Sequence, residues 1–275
     1  MQIELAQVAI VDGALAINLA TVLEKISQRC IGTQLMVFPE TVFSGFPDAD
    51  NVAVLAQAVS GEMIAQVCAA ARQYEIAVAL GFAEVSDDQF FNASVLIDAA
   101  GEIVLHHRKV HLWSADTGIF SPGDCFTTAQ WNGRQIGLLI CFDIEFPESA
   151  RALASLGAEL IIVSDGLMHP HGVVHQRALT ARSMENQVFS ILVNRCETDA
   201  AGESFAGGSM VINPYGDIVL QANNGASTLT AQLDFSAVHE SRKEYCYLDQ
   251  RQVKLAMEEV DIGNQHTQAQ RIKKS

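Results

Sequence analysis

Short apolar runs that stop abruptly alternate with segments of helical spacing along almost the whole chain, and this alternation restricts the fold more than any other feature. Gln2–Ile10 reads as a strand. Ala14–Gln28 has helical spacing through Leu15, Leu19, Val22, Leu23 and Ile26. Gln34–Phe38 reads as a buried strand, Glu62–Tyr74 is Ala-rich and helical, and Ile76–Val85 returns to strand. Asn92–Asp98 and Glu102–His106 flank Ala100-Gly101 as a hairpin. Gln135–Ile140 is a further strand, after which Pro147 opens a helix that Gly157 closes. Glu159–Ser164 (strand), Val173–Asn186 (helix) and Val188–Asn194 (strand) follow. Met210–Asn213 and Asp217–Gln221 flank a turn at Pro214-Tyr215-Gly216. Thr228–Asp234 is the last strand and Phe235–Lys243 a short helix. Strands joined by both helical crossovers and hairpins call for an α/β chain, a mixed sheet system with helices outside. No linker, repeat or low-complexity segment interrupts the pattern, so one domain is expected over residues 1–275. Residues 247–275 are polar and lose periodicity; they are expected to form a C-terminal tail over the body or a neighbouring subunit.

Composition narrows the function. Apolar residues make up 49% of the 275 and charged residues only 18%, which excludes a disordered chain. The net charge is −15, so neither nucleic acid nor an anionic membrane is expected as a partner. The longest apolar stretches, such as Ile76–Ala83, are about half the roughly 20 residues of a membrane span. The start, MQIELAQVAI, carries Glu4 where a signal peptide would be basic and apolar. A cytoplasmic location follows as an expectation. Cys30, Cys68, Cys125, Cys141, Cys196 and Cys246 are scattered, with no paired metal-ligand spacing.

Three polar residues stand where apolar strands break off. Glu40 follows Leu35-Met36-Val37-Phe38-Pro39, Lys109 follows the run ending His107-Arg108, and Cys141 follows Leu138-Leu139-Ile140. Reactive groups of α/β folds collect at strand ends. Taken singly, each has an ordinary reading: a turn carboxylate, a surface lysine, a core thiol. Together they make a chemical unit. A thiol with its usual pKa near 8.5 is a poor nucleophile until a base removes its proton. A carboxylate can be that base, and a lysine can keep the carboxylate ionised and hold a developing oxyanion. Acyl transfer then needs no cofactor and no metal.

These residues and their surroundings resemble the carbon–nitrogen hydrolase, or nitrilase, superfamily, with its Glu-Lys-Cys triad. The matching blocks are Val37-Phe38-Pro39-Glu40, Arg108-Lys109-Val110-His111-Leu112, and Cys141-Phe142-Asp143-Ile144-Glu145-Phe146-Pro147-Glu148. Arg182-Ser183-Met184-Glu185-Asn186, Asn194, Gly207-Gly208-Ser209-Met210 and Pro214-Tyr215-Gly216 match as well. The resemblance spans about residues 3–235, in the family's order. It implies a four-layer α-β-β-α sandwich with Cys141 as nucleophile, Glu40 as base and Lys109 as oxyanion partner, assisted by the Phe142 backbone N–H. It places Asp116 where relatives carry a second glutamate, one methylene longer. Trp113 and Phe120 would shape the acyl pocket. It further implies a homodimer or higher homo-oligomer.

The form Cys141-x-Asp143-x-x-Phe146-Pro147-Glu148 resembles the amidase branches, since nitrile-cleaving members tend to carry Trp-Glu directly after the cysteine. The expected function is therefore thioester-mediated hydrolysis of a small carboxamide, releasing ammonia or an amine. An N-carbamoyl amide hydrolase, a nitrilase, and a non-catalytic ligand-binding or scaffold protein are the alternatives. His169, His171 and His175 lie together in HPHGVVH; their spacing fits no familiar zinc pattern, so pocket lining or plain loop is preferred to a metal site. Asp143 and Glu145 read as structural, orienting the loop or pairing with Arg151. Arg177 and Arg195 are candidates for meeting an acidic substrate.

Overall fold

The computed structural model describes residues 1–199, 202–253 and 270–273. The first sheet runs Ser227–Gln232, Gln2–Gln7, Leu35–Val37, Ala77–Ser86, Gln89–Ile97, Ile103–Arg108 from edge to edge. Gln2–Gln7, Leu35–Val37 and Ala77–Ser86 are parallel to one another. The second sheet runs Ile218–Gln221, Met210–Ile212, Phe189–Asn194, Leu160–Asp165, Arg134–Ile140, Cys125–Trp131, Gln270–Lys273. Its parallel trio is Arg134–Ile140, Leu160–Asp165 and Phe189–Asn194. Parallel neighbours need crossovers. The helices Leu15–Ser27 and Glu62–Tyr74 provide them in the first sheet, Pro147–Ser155 and Gly172–Asn186 in the second.

The strand period of two sorts side chains into layers. Ile3, Leu5, Leu35 and Val37 pack against Ile136, Leu138, Leu160, Ile162, Ile191 and Val193 between the sheets. Ala6, Met36, Val78 and Leu80 turn outward to Leu19, Val22, Ile64 and Val67 of the first pair of helices. Leu139, Ile161, Val163 and Leu192 meet Leu153 and Leu179 of the second pair. The result is the α-β-β-α sandwich. Strands buried on both faces read as continuous apolar runs, which is why they are so visible in the sequence. Each fully buried Leu or Ile contributes about 2 kcal/mol of transfer free energy. At Gly137 a β-carbon would lie 2.7 Å from Leu153 Cδ1, so Pro147–Ser155 seats on the strand where only glycine leaves room.

The differences from expectation are local. The first strand ends at Gln7, and Ala9 instead bridges to Cys196. Cys125–Trp131 and the short pair Cys196–Thr198 with Ser204–Ala206 are strands that periodicity did not reveal. Two hairpins reverse at Asp87-Asp88 (φ 49° and 59°) and Asn132-Gly133 (φ 49° and 72°). Two consecutive left-handed residues are what a tight hairpin with native twist demands. Of the expected tail, residues 254–269, 274 and 275 lie outside the described residues. Within the rest, Tyr247 N–H donates to Gln187 Oε1 (3.3 Å), and Gln270–Lys273 pairs antiparallel with Cys125–Trp131 at the sheet edge. Among the described residues no helix is long and apolar enough to cross a membrane.

Candidate active site

The C-terminal ends of parallel strands from both sheets meet, and the chain there turns sharply at each. Ser94 and Ser164 hydroxyls, 3.2 Å apart, tie the two sheets together below this point. Glu40 leaves the strand Leu35–Val37 through Phe38-Pro39, and its N–H donates to the Asp165 carbonyl (3.2 Å). A β-carbon at Gly81 would lie 2.7 Å from Glu40 Cα, so a glycine in the next strand makes room for it. Lys109 follows Ile103–Arg108, its backbone held by Asn92 and Gly123. Cys141 follows Arg134–Ile140 directly, with φ 44°. A left-handed conformation costs a non-glycine residue about 1–2 kcal/mol and is kept where the surroundings enforce it.

Lys109 Nζ donates to Glu40 Oε1 (2.8 Å) and Asp116 Oδ2 (2.8 Å). Asn92 Nδ2 donates to the same Glu40 oxygen (2.7 Å). Glu40 Oε2 accepts no hydrogen bond from the described residues; it lies beside Gly166, where any β-carbon would come within 2.7 Å of it. Glu40 and Lys109 are buried. Burial raises the Glu40 pKa, Lys109 pulls it back, and Asp116 and Asp165 push it up again, leaving it raised. Burial opposes the Lys109 ammonium, but Glu40, Cys141 and Asp116 around it hold its proton well above the ordinary value. The Cys141 thiol is pushed well up by burial and then by the Glu40 charge; Lys109 and the Gly166 N–H act in the opposite direction. Cys141 therefore rests as a thiol, and its attack on an electrophile must be accompanied by proton removal.

Asp143 holds the cysteine turn and the lysine loop together. Its carboxylate accepts the backbone N–H groups of Ile140 (3.3 Å), Val110 (3.2 Å) and His111 (2.9 Å). It also meets His107 Nε2 and His111 Nδ1, each at 3.0 Å. Burial would raise its pKa; the bonds from His107 and His111 prevail and hold it far below the usual carboxylate range. Glu145 pairs with His175 (3.1 Å), so the expected partnership of Asp143 or Glu145 with Arg151 is replaced by histidine contacts.

Above Cys141 lies a cavity of about 550 Å³, with Lys109 and Asp116 also at its wall. Its apolar side is formed by Phe46, Phe142, Ile119, Leu167, Val174 and Phe205. Trp113 is 45% exposed and stands edge-on to Phe142 (centroids 5.0 Å apart, 81°). Phe142 is the first residue beyond Cys141 and lines the cavity; Phe120 packs instead with Val52, Ala56 and Ala83. His169, His171 and His175 are all at the cavity wall. Arg195 is not: it is buried, pairs with Asp12 (3.2 Å), and stacks on the Phe205 ring from outside (3.7 Å to the centroid). Arg177 is exposed and does not line the cavity. Neither basic candidate meets a substrate acid there.

Sequence reasoning missed Asn92, Asp165, Gly166, Phe46 and Phe205. None carries a local signal; Asn92 is one polar residue within an apolar strand, Phe46 lies in a loop, and Phe205 sits far from it in the short strand Ser204–Ala206. Cys141, Asp165 and His175 place a ligand atom each within 4.8 Å of one another, a set that could gather a metal ion. Both His175 nitrogens already face carboxylates, so metal binding would require breaking at least one of those contacts.

Comparisons with known proteins converge. The sequence profile of the carbon–nitrogen hydrolase family matches residues 2–243. An (R)-stereoselective amidase of a Pseudomonas species is 44% identical over 261 residues, covering 95% of each chain. A nitrilase of Pyrococcus abyssi is 31% identical over 77% of this chain and 80% of its own. Among solved structures, a variant of the amidase from Nesterenkonia sp. AN1 superposes with a TM-score of 0.82 at 27% identity, covering 92% of this chain and 94% of that one. That protein carries the acetamide moiety of fluoroacetamide covalently on its active-site cysteine.

Proposed function

The chain belongs to the carbon–nitrogen hydrolase family and is a cysteine-dependent amidase, and from that premise we propose the following division of labour among its residues. Cys141 Sγ attacks the carbonyl carbon of a small carboxamide while Glu40 takes the thiol proton at Oε2. The carbonyl π electrons move to oxygen, where the Lys109 ammonium and the Phe142 N–H meet the new charge. The tetrahedral intermediate collapses, the C–N bond breaks, and Glu40 returns its proton to the departing ammonia or amine. Glu40 then removes a proton from water, which attacks the thioester and releases the acid; the sulfur leaves and is reprotonated by Glu40. Asp116 holds Lys109 by accepting from its ammonium at the cavity wall, and Trp113 with Phe142 forms the acyl wall.

The observation that carries this reading is the hydrogen-bonded Glu40–Lys109–Asp116 unit, whose Lys109 and Asp116 line the same cavity as Cys141. Together with Cys141 it supplies base, cation and nucleophile from this chain's own side chains. A carboxamide is favoured over a nitrile because its N–H donors suit a cavity edged by the Asp116 and Glu145 carboxylates. The apolar lining and the retreat of Arg177 and Arg195 favour an uncharged or basic acyl group over an acidic one. A cytoplasmic homodimer belongs to the same proposal. Val173, Val174 and Met184 on one outer helix and Tyr245 and Tyr247 at the end of another are exposed, which supports self-association; sedimentation velocity checks it. The functional test is ammonia release from a panel of amides, N-carbamoyl amino acids and nitriles, with Cys141→Ala as blank. Turnover of neutral amides, absent in the variant, is expected. Turnover confined to nitriles or carbamoyl compounds, or undiminished in the variant, overturns the assignment.

A further inference from the structure

His175 is not part of the Glu40–Lys109–Cys141 chemistry, yet it is buried beside the sulfur. It sits in the first turn of Gly172–Asn186. Its Nδ1 lies 3.0 Å from both oxygens of Asp165, and its Nε2 lies 3.1 Å from Glu145 Oε1. Ionised carboxylates only accept hydrogen bonds, so with Asp165 and Glu145 charged both ring nitrogens donate and the ring is an imidazolium. Burial opposes that charge, but Asp165 and then Glu145 outweigh it and push the pKa up to about 9.

Asp165 is the reason such a charge matters. It closes the strand Leu160–Asp165 at the heart of the site. Its carbonyl receives the N–H groups of Glu40 (3.2 Å) and Arg195 (3.3 Å), and its Oδ1 receives the Gly166 N–H (3.0 Å). Its own negative charge pushes both the Cys141 thiol and Glu40 upward, which works against forming a thiolate. The titratable groups meeting His175 are Asp165 from the strand end and Glu145 and Cys141 from the turn Cys141–Glu145. On its own helix, Arg182 holds the Ile144 and Glu145 carbonyls (3.3 Å each) and fixes that turn.

We propose that His175 is a positioning residue for the hydrolysis: its imidazolium, clamped between Asp165 and Glu145, cancels the Asp165 charge beside the sulfur and holds the Asp165-Gly166 turn against Cys141. This rests on Cys141 being the nucleophile. The alternative use of the same side chains is a metal site formed by Cys141, Asp165 and His175.

The test compares wild type, His175→Gln and the double variant His175→Gln/Asp165→Asn, with thermal melting as a check on folding. Iodoacetamide labelling of Cys141 is followed by peptide mass spectrometry, and kcat/KM is measured against pH. Loss of the charge leaves Asp165 uncancelled and pushes the thiol pKa further up, so alkylation of the single variant at neutral pH is expected to slow about tenfold. Asp165→Asn in that background restores most of the rate, because the charge to be cancelled is gone. In the wild type, kcat/KM falls as pH rises through about 9, where the imidazolium loses its proton, and this limb is absent from His175→Gln. Should that variant fail to fold, Glu145→Gln removes one of the two negative charges that hold the imidazolium and moves the wild-type limb to lower pH. Alkylation within about twofold of wild type, no restoration by the second substitution, or an unmoved limb in Glu145→Gln overturns the proposal. So does zinc that protects Cys141 of the wild type but not of His175→Gln. Labelling needs no substrate, so a protein without amide turnover would sink the amidase reading and leave this one still measurable.

Discussion

Two carboxylate–cation–carboxylate groups meet at Cys141. In one, Lys109 stands between Glu40 and Asp116; in the other, His175 stands between Asp165 and Glu145. They look alike on paper and differ in what their cations can do. The Lys109 proton is held well above the ordinary lysine value, so that cation is permanent across any working pH. The His175 proton leaves near pH 9, so its charge is conditional. Among the described residues nothing donates to one oxygen of the first group, Glu40 Oε2, which leaves it open to take a proton. In the second, both Asp165 oxygens face the His175 ring nitrogen. On the proposed mechanism one group exchanges protons with a substrate, while the other keeps the field and backbone around the sulfur fixed.

That contrast can be broken by measurement. The largest effect is expected from Lys109→Gln, which removes the proposed oxyanion partner and leaves Glu40 and Asp116 buried together without the Lys109 counter-charge. A loss of about a thousandfold or more in kcat/KM is expected, measured on the best amide of the panel. The His175 variant, acting only through its neighbours, should lose far less. Equal losses would mean the two groups are not different in kind. The smallest effect is expected at the cavity rim. Trp113→Ala should change KM and the ranking of amides by about threefold while leaving kcat nearly unaltered. Because Trp113 is half-exposed, the melting temperature should barely move. A large drop in stability would make that ring a structural prop and not a specificity wall.

The sequence exposed the parts of the molecule that are locally determined. Strands buried on both faces print continuous apolar runs, so Leu35–Val37, Leu160–Asp165 and Phe189–Asn194 were readable, as was the helix Pro147–Ser155 between its proline and Gly157. Glu40 and Cys141 were legible because each ends such a run; Lys109 follows the half-exposed edge strand Ile103–Arg108 and was legible through the block of residues around it. Cys125–Trp131 was not: its Thr127, Thr128 and Gln130 dilute the apolar signal, although Asn132-Gly133 after it is a strong hairpin cue. Asp87-Asp88 hides a hairpin in two residues that also suit an ordinary loop. Asp165 and His175 were out of reach for a different reason. Their roles arise from a pairing 10 residues apart in sequence and from a third partner, Glu145, 30 residues away, which no pattern encodes. His175 could be suspected of lining the cavity but not of carrying a fixed charge.

The central claim is a covalent bond between substrate carbon and the Cys141 sulfur. A small acyl ester, whose leaving group departs without a proton from Glu40, makes hydrolysis of the thioester the slow step, so acid quenching of the wild type during turnover should trap the acyl group on the enzyme. Intact-protein mass spectrometry should then show a gain equal to the acyl group, mapped by peptide fragmentation to Cys141 and abolished by Cys141→Ala. Turnover of the ester with no adduct after quenching, or an adduct carried by another residue, would contradict it.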